Sequence, residues 1–378
     1  MYLKNLLIIT VAVLFVNTAF SQTTAIEWYN KGQTLFDAGK YNEAVKAYEK
    51  AASLDPKNRE AFFKVGWCYN DLGNYDRAVI NLKKAIALKS DYHQAYQELG
   101  FAYKKLQKYQ DALDALNTAI RYKSDFALAY KQLGDVYDKM NTPDKAVEAY
   151  SKAYEFNKED MDACYNIGYI SNGKGNYETA IGWLQKAIKI KETKNNYNEL
   201  GFAYYKLKKN EEALEAYRNS IRVEPQNGTA YKGIGDVYRK NYSPAKTDEA
   251  GSSYKKAIEY NPNSSGSYYG LGWCYNEKAK YTEAIPLLRK SIELDKTFAA
   301  AYTELGYAWY MTEKYTDGLV TLKQGIEQDN KNALCRYYSG LIYLKLKQPE
   351  KATAMYNELQ PLDPKLADKL LVKINASK

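Results

Sequence analysis

The chain has 378 residues, with 46% apolar and 26% charged side chains and a net charge of +9 at pH 7. That balance excludes a disordered chain, nine prolines exclude a proline-rich or collagen-like one, and a single histidine, His93, leaves histidine-based metal or triad chemistry almost nothing to work with. Tyrosine outnumbers phenylalanine 39 to 10, which suits half-wet surfaces where a ring packs and its hydroxyl meets water.

In chain order, residues 1–21 read as a secretory signal. Lys4 supplies the positive start. Leu6–Val16 is an apolar run, shorter than the roughly 20 helical residues a bilayer requires. Small residues, Ala19 and Ser21, precede a cut at Gln22, and no cysteine near the cut supports a lipid anchor. The expectation is an exported chain, periplasmic or extracellular or peripheral to the outer membrane, with no stable membrane span after signal removal. The surplus lysines are scattered rather than blocked, which reads as a surface coat and not as a nucleic-acid site.

From Ala25 onward the chain repeats. Glycine recurs at Gly32, Gly66, Gly100, Gly134, Gly168, Gly201, Gly235, Gly272, Gly306 and Gly340, a period of about 34 residues. Each copy carries two apolar patches of helical period, so each reads as two short helices joined by a turn. The first copy, 25–58, shows Trp28, Gly32, Leu35, Tyr41, Ala44, Tyr48, Ala51 and Pro56. On those residues the unit resembles the tetratricopeptide repeat (TPR). Ten copies cover 25–366. The resemblance implies an all-α fold, a right-handed superhelical solenoid of about ten tandem helix-turn-helix repeats. One pair cannot bury its apolar face alone, so neighbours stack. Segment 365–376 places Leu366, Leu370, Leu371 and Ile374 on one face and reads as a C-terminal capping helix.

Some copies depart from the pattern. The seventh carries extra residues around Asn241–Asp248. Pro286 inside the second helix of the eighth copy is expected to cost a hydrogen bond or add a kink. Gly318 and Gly325 are expected to loosen the ninth. Cys68, Cys164, Cys274 and Cys335 lie on first helices of non-adjacent units, too far apart for the Cα separation of about 7 Å that a disulfide tolerates. They read as buried free thiols.

The copies also follow a coarser period. One starter unit, 25–58, precedes three-repeat blocks at 59–160, 161–264 and 265–366. Copies two, five and eight share a pattern ending in Asn70, Asn172 and Asn276. Copies three, six and nine share Glu98-Leu99-Gly100, Glu199-Leu200-Gly201 and Glu304-Leu305-Gly306. Copies four and seven share Gly134-Asp135-Val136-Tyr137 and Gly235-Asp236-Val237-Tyr238.

With glycine as the eighth position, the fifth, ninth and twelfth fall away from the side packed on the second helix. They carry Phe63, Trp67, Asn70, Phe101, Tyr165, Tyr169, Asn172, Phe202, Tyr269, Trp273, Asn276 and Tyr307. In the family this face lines the concave groove that holds partner peptides. The resemblance therefore implies aromatic plates and amide hydrogen-bonders facing an extended segment of a partner protein. Duplication relics packed against the next helix are the alternative for these rings. Lys64, Asn70, Lys104, Lys131 and Lys232 do not assemble the full two-carboxylate clamp that some members use.

The functional expectation is a non-catalytic interaction scaffold in the bacterial envelope, organising a complex there. No cofactor and no metal is expected, and the partner is a protein or peptide rather than nucleic acid. Glycan or peptidoglycan recognition by the aromatic and asparagine stripe is the second reading, since such plates also suit sugar rings. No phosphate loop, metal-ligand spacing or serine–histidine arrangement points to an enzyme.

Overall fold

A computed structural model describes residues 24–377; the expected signal at 1–21 lies outside them. Every regular element among the described residues is an α-helix. α1 covers 24–37. The first helices of the following copies are α3 (Arg59–Asp71), α5 (His93–Lys105), α7 (Ala127–Lys139), α9 (Met161–Gly173), α11 (Lys194–Lys206), α13 (Gly228–Lys240), α15 (Ser265–Glu277), α17 (Ala299–Met311) and α19 (Ala333–Lys345). The second helices are α2 (Tyr41–Leu54), α4 (Tyr75–Leu88), α6 (Tyr109–Tyr122), α8 (Pro143–Phe156), α10 (Tyr177–Ile190), α12 (Asn210–Val223), α14 (Thr247–Tyr260), α16 (Tyr281–Leu294), α18 (Tyr315–Gln328) and α20 (Pro349–Leu359), and α21 (Pro364–Asn375) ends the array. The chain divides into two compact units after Ile170, within α9.

Local sequence explains the boundaries. Asn58, Asn74, Thr193, Asn227, Asn332 and Asp363 each accept a hydrogen bond from the backbone N–H three residues on, satisfying a donor that the helix start leaves open. Pro143, Pro349 and Pro364 sit in first turns, where no N–H is needed. The turn within nine of the ten copies uses a left-handed residue. It is Gly39, Gly73 and Gly175 in three copies, and Gln107, Asn141, Lys208, Ala279, Glu313 and Lys347 in others.

In the first unit, α3 packs on α4 and also touches α5, and α5 touches α7. The first helices thus adjoin one another along one face. Ala44, Ala78, Ala112 and Ala146 are fully buried at the crossings. Gly66 is needed for close approach: a Cβ there would lie 2.6 Å from Cγ of Leu82.

In the second unit, α11 touches α13, α13 touches α15, α15 touches α17 and α17 touches α19. Residues 241–246, between α13 and α14, form a longer connector than 72–74 between α3 and α4. α16 runs unbroken through Pro286. Pro286 and Thr282, whose carbonyl it leaves unbonded, are both exposed, so water can take the place of the missing donor.

The ninth copy departs from expectation. α18 is continuous, and both of its unusual glycines are packing sites rather than loose points. A Cβ at Gly318 would lie 2.8 Å from Ile342, and one at Gly325 would lie 2.8 Å from Sγ of Cys335. The closing helix α21 buries Ala367, Leu370 and Ile374 against the last pair, with Leu366 and Leu371 partly covered. All four cysteines are buried.

Candidate functional site

The face of the first helices carries the residues that the repeat pattern singles out. In the first unit Trp67 is half-buried, its ring 5.0 Å from Phe36. Lys64 Nζ stands 4.8 Å from Trp67 and 4.7 Å from Phe36, a cation held between two ring faces. Phe101 is half-buried beside Tyr75, with Lys104 and Lys105 at 5.5 and 5.4 Å from its ring. Tyr165 and Tyr169 stack at 6.2 Å, and Tyr169 is 55% exposed. In the second unit Phe202 lies against Tyr177 and Tyr205 with Lys206 over it at 5.3 Å. Tyr269 packs on Phe298 at 4.8 Å, and Tyr307 on Tyr338 at 5.1 Å. Trp273 is half-buried.

Four of the expected groove residues have a different placement. Phe63 is 7% exposed, with its ring 4.9 Å from Tyr92 at the start of the next first helix. It is core between successive copies and not an open plate. Asn70, Asn172 and Asn276 are also buried and do not offer free amides to a groove. Each Nδ2 donates to the glutamate at the sixth position of the next copy, reaching both its backbone carbonyl and its carboxylate. The distances are 3.1 and 2.8 Å from Asn70 to Glu98, 3.0 and 2.9 Å from Asn172 to Glu199, and 3.1 and 2.9 Å from Asn276 to Glu304.

These asparagines join copy two to three, five to six and eight to nine. Burial pushes the carboxyls of Glu98, Glu199 and Glu304 up, opposed by the asparagine hydrogen bond. The three asparagine Oδ1 atoms are buried without a donor. The signal for these pairs was the repeated glutamate itself, recurring in the copies that follow each asparagine.

The lysines weighed as a clamp, Lys104, Lys131 and Lys232, are instead paired with aspartates of this face. In the fourth copy Asp135 accepts from Tyr150 at 2.8 Å and pairs with Lys104 at 2.6 Å. Lys131 bridges Asp160 and Asp162 at 3.7 and 3.3 Å. In the seventh, Asp236 accepts from Tyr254 at 2.7 Å and from Lys232 at 2.7 Å. Arg239 donates to the Tyr254 hydroxyl at 3.0 Å and lies over Tyr269 and Trp273 at 5.1 and 5.5 Å. Burial opposes ionisation of Asp236, but Lys232, Tyr254 and Arg239 outweigh it and hold its carboxyl below the usual range. The Tyr254 ring passes beneath Gly270 of α15, where a Cβ would sit 2.3 Å from Cζ.

Chemically, this face can stack, donate charged hydrogen bonds and bury apolar side chains. Among the described residues no group of three or more histidine, cysteine, aspartate or glutamate side chains is placed to hold a metal. No helix among them is long and apolar enough to cross a membrane.

Comparison with known proteins agrees with the repeat geometry. Models described as tetratricopeptide repeat match residues 25–58, 98–157, 131–195 and 253–285, and one described as TPR repeat matches 68–107 and 201–241. Among curated proteins, the chain is 32% identical over 90 residues to the cell division cycle protein 16 homolog of Homo sapiens. That match covers 21% of this chain and only 14% of the human protein. Among solved structures, the C-terminal part of a TPR repeat-containing protein from Cytophaga hutchinsonii superposes with a TM-score of 0.55 at 21% identity, covering 64% of this chain and 99% of that one. Pseudomonas aeruginosa pilF gives 0.51 at 18% identity, covering 57% and 98%. At these identities the two structures speak to the fold alone.

Proposed function

We propose that this chain, which belongs to the tetratricopeptide repeat family, is a non-catalytic scaffold that holds an extended segment of a partner protein along the face of its first helices. The family is typically one of protein–protein interaction modules. The observation that carries the finer reading is the set of half-buried rings on that face, Trp67, Phe101, Phe202 and Trp273, each with a lysine or arginine beside it. Half-buried aromatic and arginine side chains are the usual anchors of an interface. Tyr169, exposed and stacked, is the ring most open to a guest.

The site of action in this proposal is the bacterial envelope, after export directed by residues 1–21. The reading is supported by the charged start, apolar run and small residues before Gln22. Amino-terminal sequencing of the chain recovered from the envelope fraction tests it; a start at Met1 would sink the export proposal.

A photocrosslinking residue at Tyr169, used in the native envelope with mass spectrometry, tests the scaffold reading. The control is the same residue at Ile80, which is 55% exposed on the second helix α4. Tyr169 is expected to capture a partner that Ile80 does not; equal or absent capture at Tyr169 counts against the reading. Sugar recognition is the weaker proposal, because stacking of a sugar needs an open ring face and cations already stand over most of these rings. A glycan array is expected to give no binding.

A further inference from the structure

We infer that the face formed by α11, α13 and α15 in the second unit takes an acidic segment of the partner, gripping its side-chain carboxylates. The inference rests on the groove reading and adds the chemistry of what is held.

A comparison inside the chain carries it. The fourth and seventh copies are built alike. Lys131, Asp135 and Tyr150 in one stand where Lys232, Asp236 and Tyr254 stand in the other, and the tyrosine-to-aspartate hydrogen bond is 2.8 Å in the first and 2.7 Å in the second. The twelfth position differs in sign: Asp138 in the fourth copy, Arg239 in the seventh. Around the fourth copy Lys104 pairs with Asp135 and Lys131 bridges Asp160 and Asp162, and Lys105 and Lys139, which stand where Lys206 and Lys240 stand in the other block, are offset by Asp138. Around the seventh, Lys232 and Arg239 both converge on Asp236, at 2.7 and 3.5 Å.

Two further cations stand on the same pair of adjoining helices. Lys206 closes α11 and Lys240 closes α13; both are exposed, and neither makes an ion pair among the described residues. Partial burial, then Arg239, Lys232 and Lys206, hold the Lys240 ammonium below its usual range, with Asp236 opposing. Against Lys206, Lys232, Arg239 and Lys240 the face sets Asp236 and, at the end of α15, the exposed Glu277, so its positive charge exceeds what these carboxylates neutralise. Arg239 is 9% exposed and clamped by Tyr254 and Asp236, so it acts as a fixed charge beneath the surface. Lys232, Lys206 and Lys240 are the groups a ligand carboxylate would meet, with Tyr269 and Trp273 beside them for apolar contact.

The test uses the full chain and labelled peptides blocked at both ends, a repeated Glu-Phe-Glu-Leu sequence and its glutamine and lysine analogues, read by fluorescence anisotropy. The glutamate peptide is expected to bind about tenfold or more tightly than the glutamine peptide, to weaken as salt rises, and to outrank the lysine peptide. Lys206→Gln with Lys240→Gln is expected to weaken it about tenfold. The same charge change at Lys256→Gln with Lys323→Gln, on second helices, is expected to leave affinity unchanged. Circular dichroism of both double variants checks that the fold is intact.

Equal binding of the glutamate and glutamine peptides, or equal losses in both double variants, overturns the acidic assignment while leaving the groove reading standing. Binding only to a peptide with a free C-terminal carboxylate, or a preference for polygalacturonate over the glutamate peptide, also overturns it. Failure of crosslinking at Tyr169 instead removes the groove reading beneath it.

Discussion

Asn70 and Glu98 are joined by one amide that donates twice, to the backbone carbonyl of Glu98 at 3.1 Å and to its carboxylate at 2.8 Å. Two copies of the repeat are tied by this single side chain, and Asn172–Glu199 and Asn276–Glu304 reproduce it. Asn70→Ala should strip the partly buried Glu98 carboxyl of this amide donor, while its carbonyl keeps its helical partner, at a cost of about 1–3 kcal/mol. In a linear array the loss is local. Amide hydrogen exchange should therefore speed up in α3 and α5 before the distant helices respond. Unchanged exchange there would show that the amide adds nothing to the joint.

The same pairs make a pH prediction. Burial raises the carboxyls of Glu98, Glu199 and Glu304, so the folded state binds these protons more tightly than the unfolded chain does. As pH rises from the ordinary glutamate range through the raised folded values, the unfolded chain ionises first and stability falls. The triple variant Glu98→Gln, Glu199→Gln, Glu304→Gln lacks this penalty. Its new amide can also donate to the asparagine Oδ1 atoms, which are buried without a partner. At pH 7 it should match or exceed the wild type, by about 0.5–1 kcal/mol per site. The advantage should shrink on acidification, as read by urea unfolding across pH. An advantage that grows in acid would reverse the assigned sign.

Gly270 and Tyr254 form a size-matched pair. A Cβ at Gly270 would meet the tyrosine ring at 2.3 Å. Gly270→Ala should destabilise by about 1–3 kcal/mol through overpacking. Leu82, Leu116, Leu184, Leu288 and Leu322 occupy the matching place in other copies. Adding Tyr254→Leu should therefore recover part of the loss in thermal unfolding. No recovery would place the strain elsewhere.

Trp67 and Tyr169 should behave differently when truncated. Trp67 is wedged against Phe36 and Phe63, so Trp67→Ala should cost about 1–3 kcal/mol in addition to any effect on binding. Tyr169 is 55% exposed, and Tyr169→Ala should change stability by about 0.5 kcal/mol or less. Partner capture that survives Tyr169→Ala intact would move the contact to other residues.

The thiols should be inert in the native state. Burial pushes Cys68 and Cys274 up to about 12 and Cys335 up to about 11, so little thiolate exists at pH 8. A colorimetric thiol titration should find them slow before denaturant and all four reactive after it. Fast native labelling would show that the helices open more readily than their packing indicates.

The recurring glycines and alanines, spaced by one period, were enough to specify paired helices and their number, and the apolar face of 365–376 the closing helix. Those features depend on which residues share a face within a single copy, and helical periodicity sets that directly. Buried cysteines were legible for the same reason. Contacts between copies were not. Asn70 meets Glu98 across 28 residues, and that meeting depends on how one helix pair is offset against the next.

The same offset turned Phe63 into core and made Gly318 and Gly325 into close-packing points. Arg239 could be read in the sequence as a charge of the opposite sign to Asp138. Only packing showed that it lies over Tyr269 and Trp273 and is held by Tyr254. Periodicity names the faces of each helix, whereas the fit of one pair against its neighbour decides which side chains on those faces meet water and which meet each other.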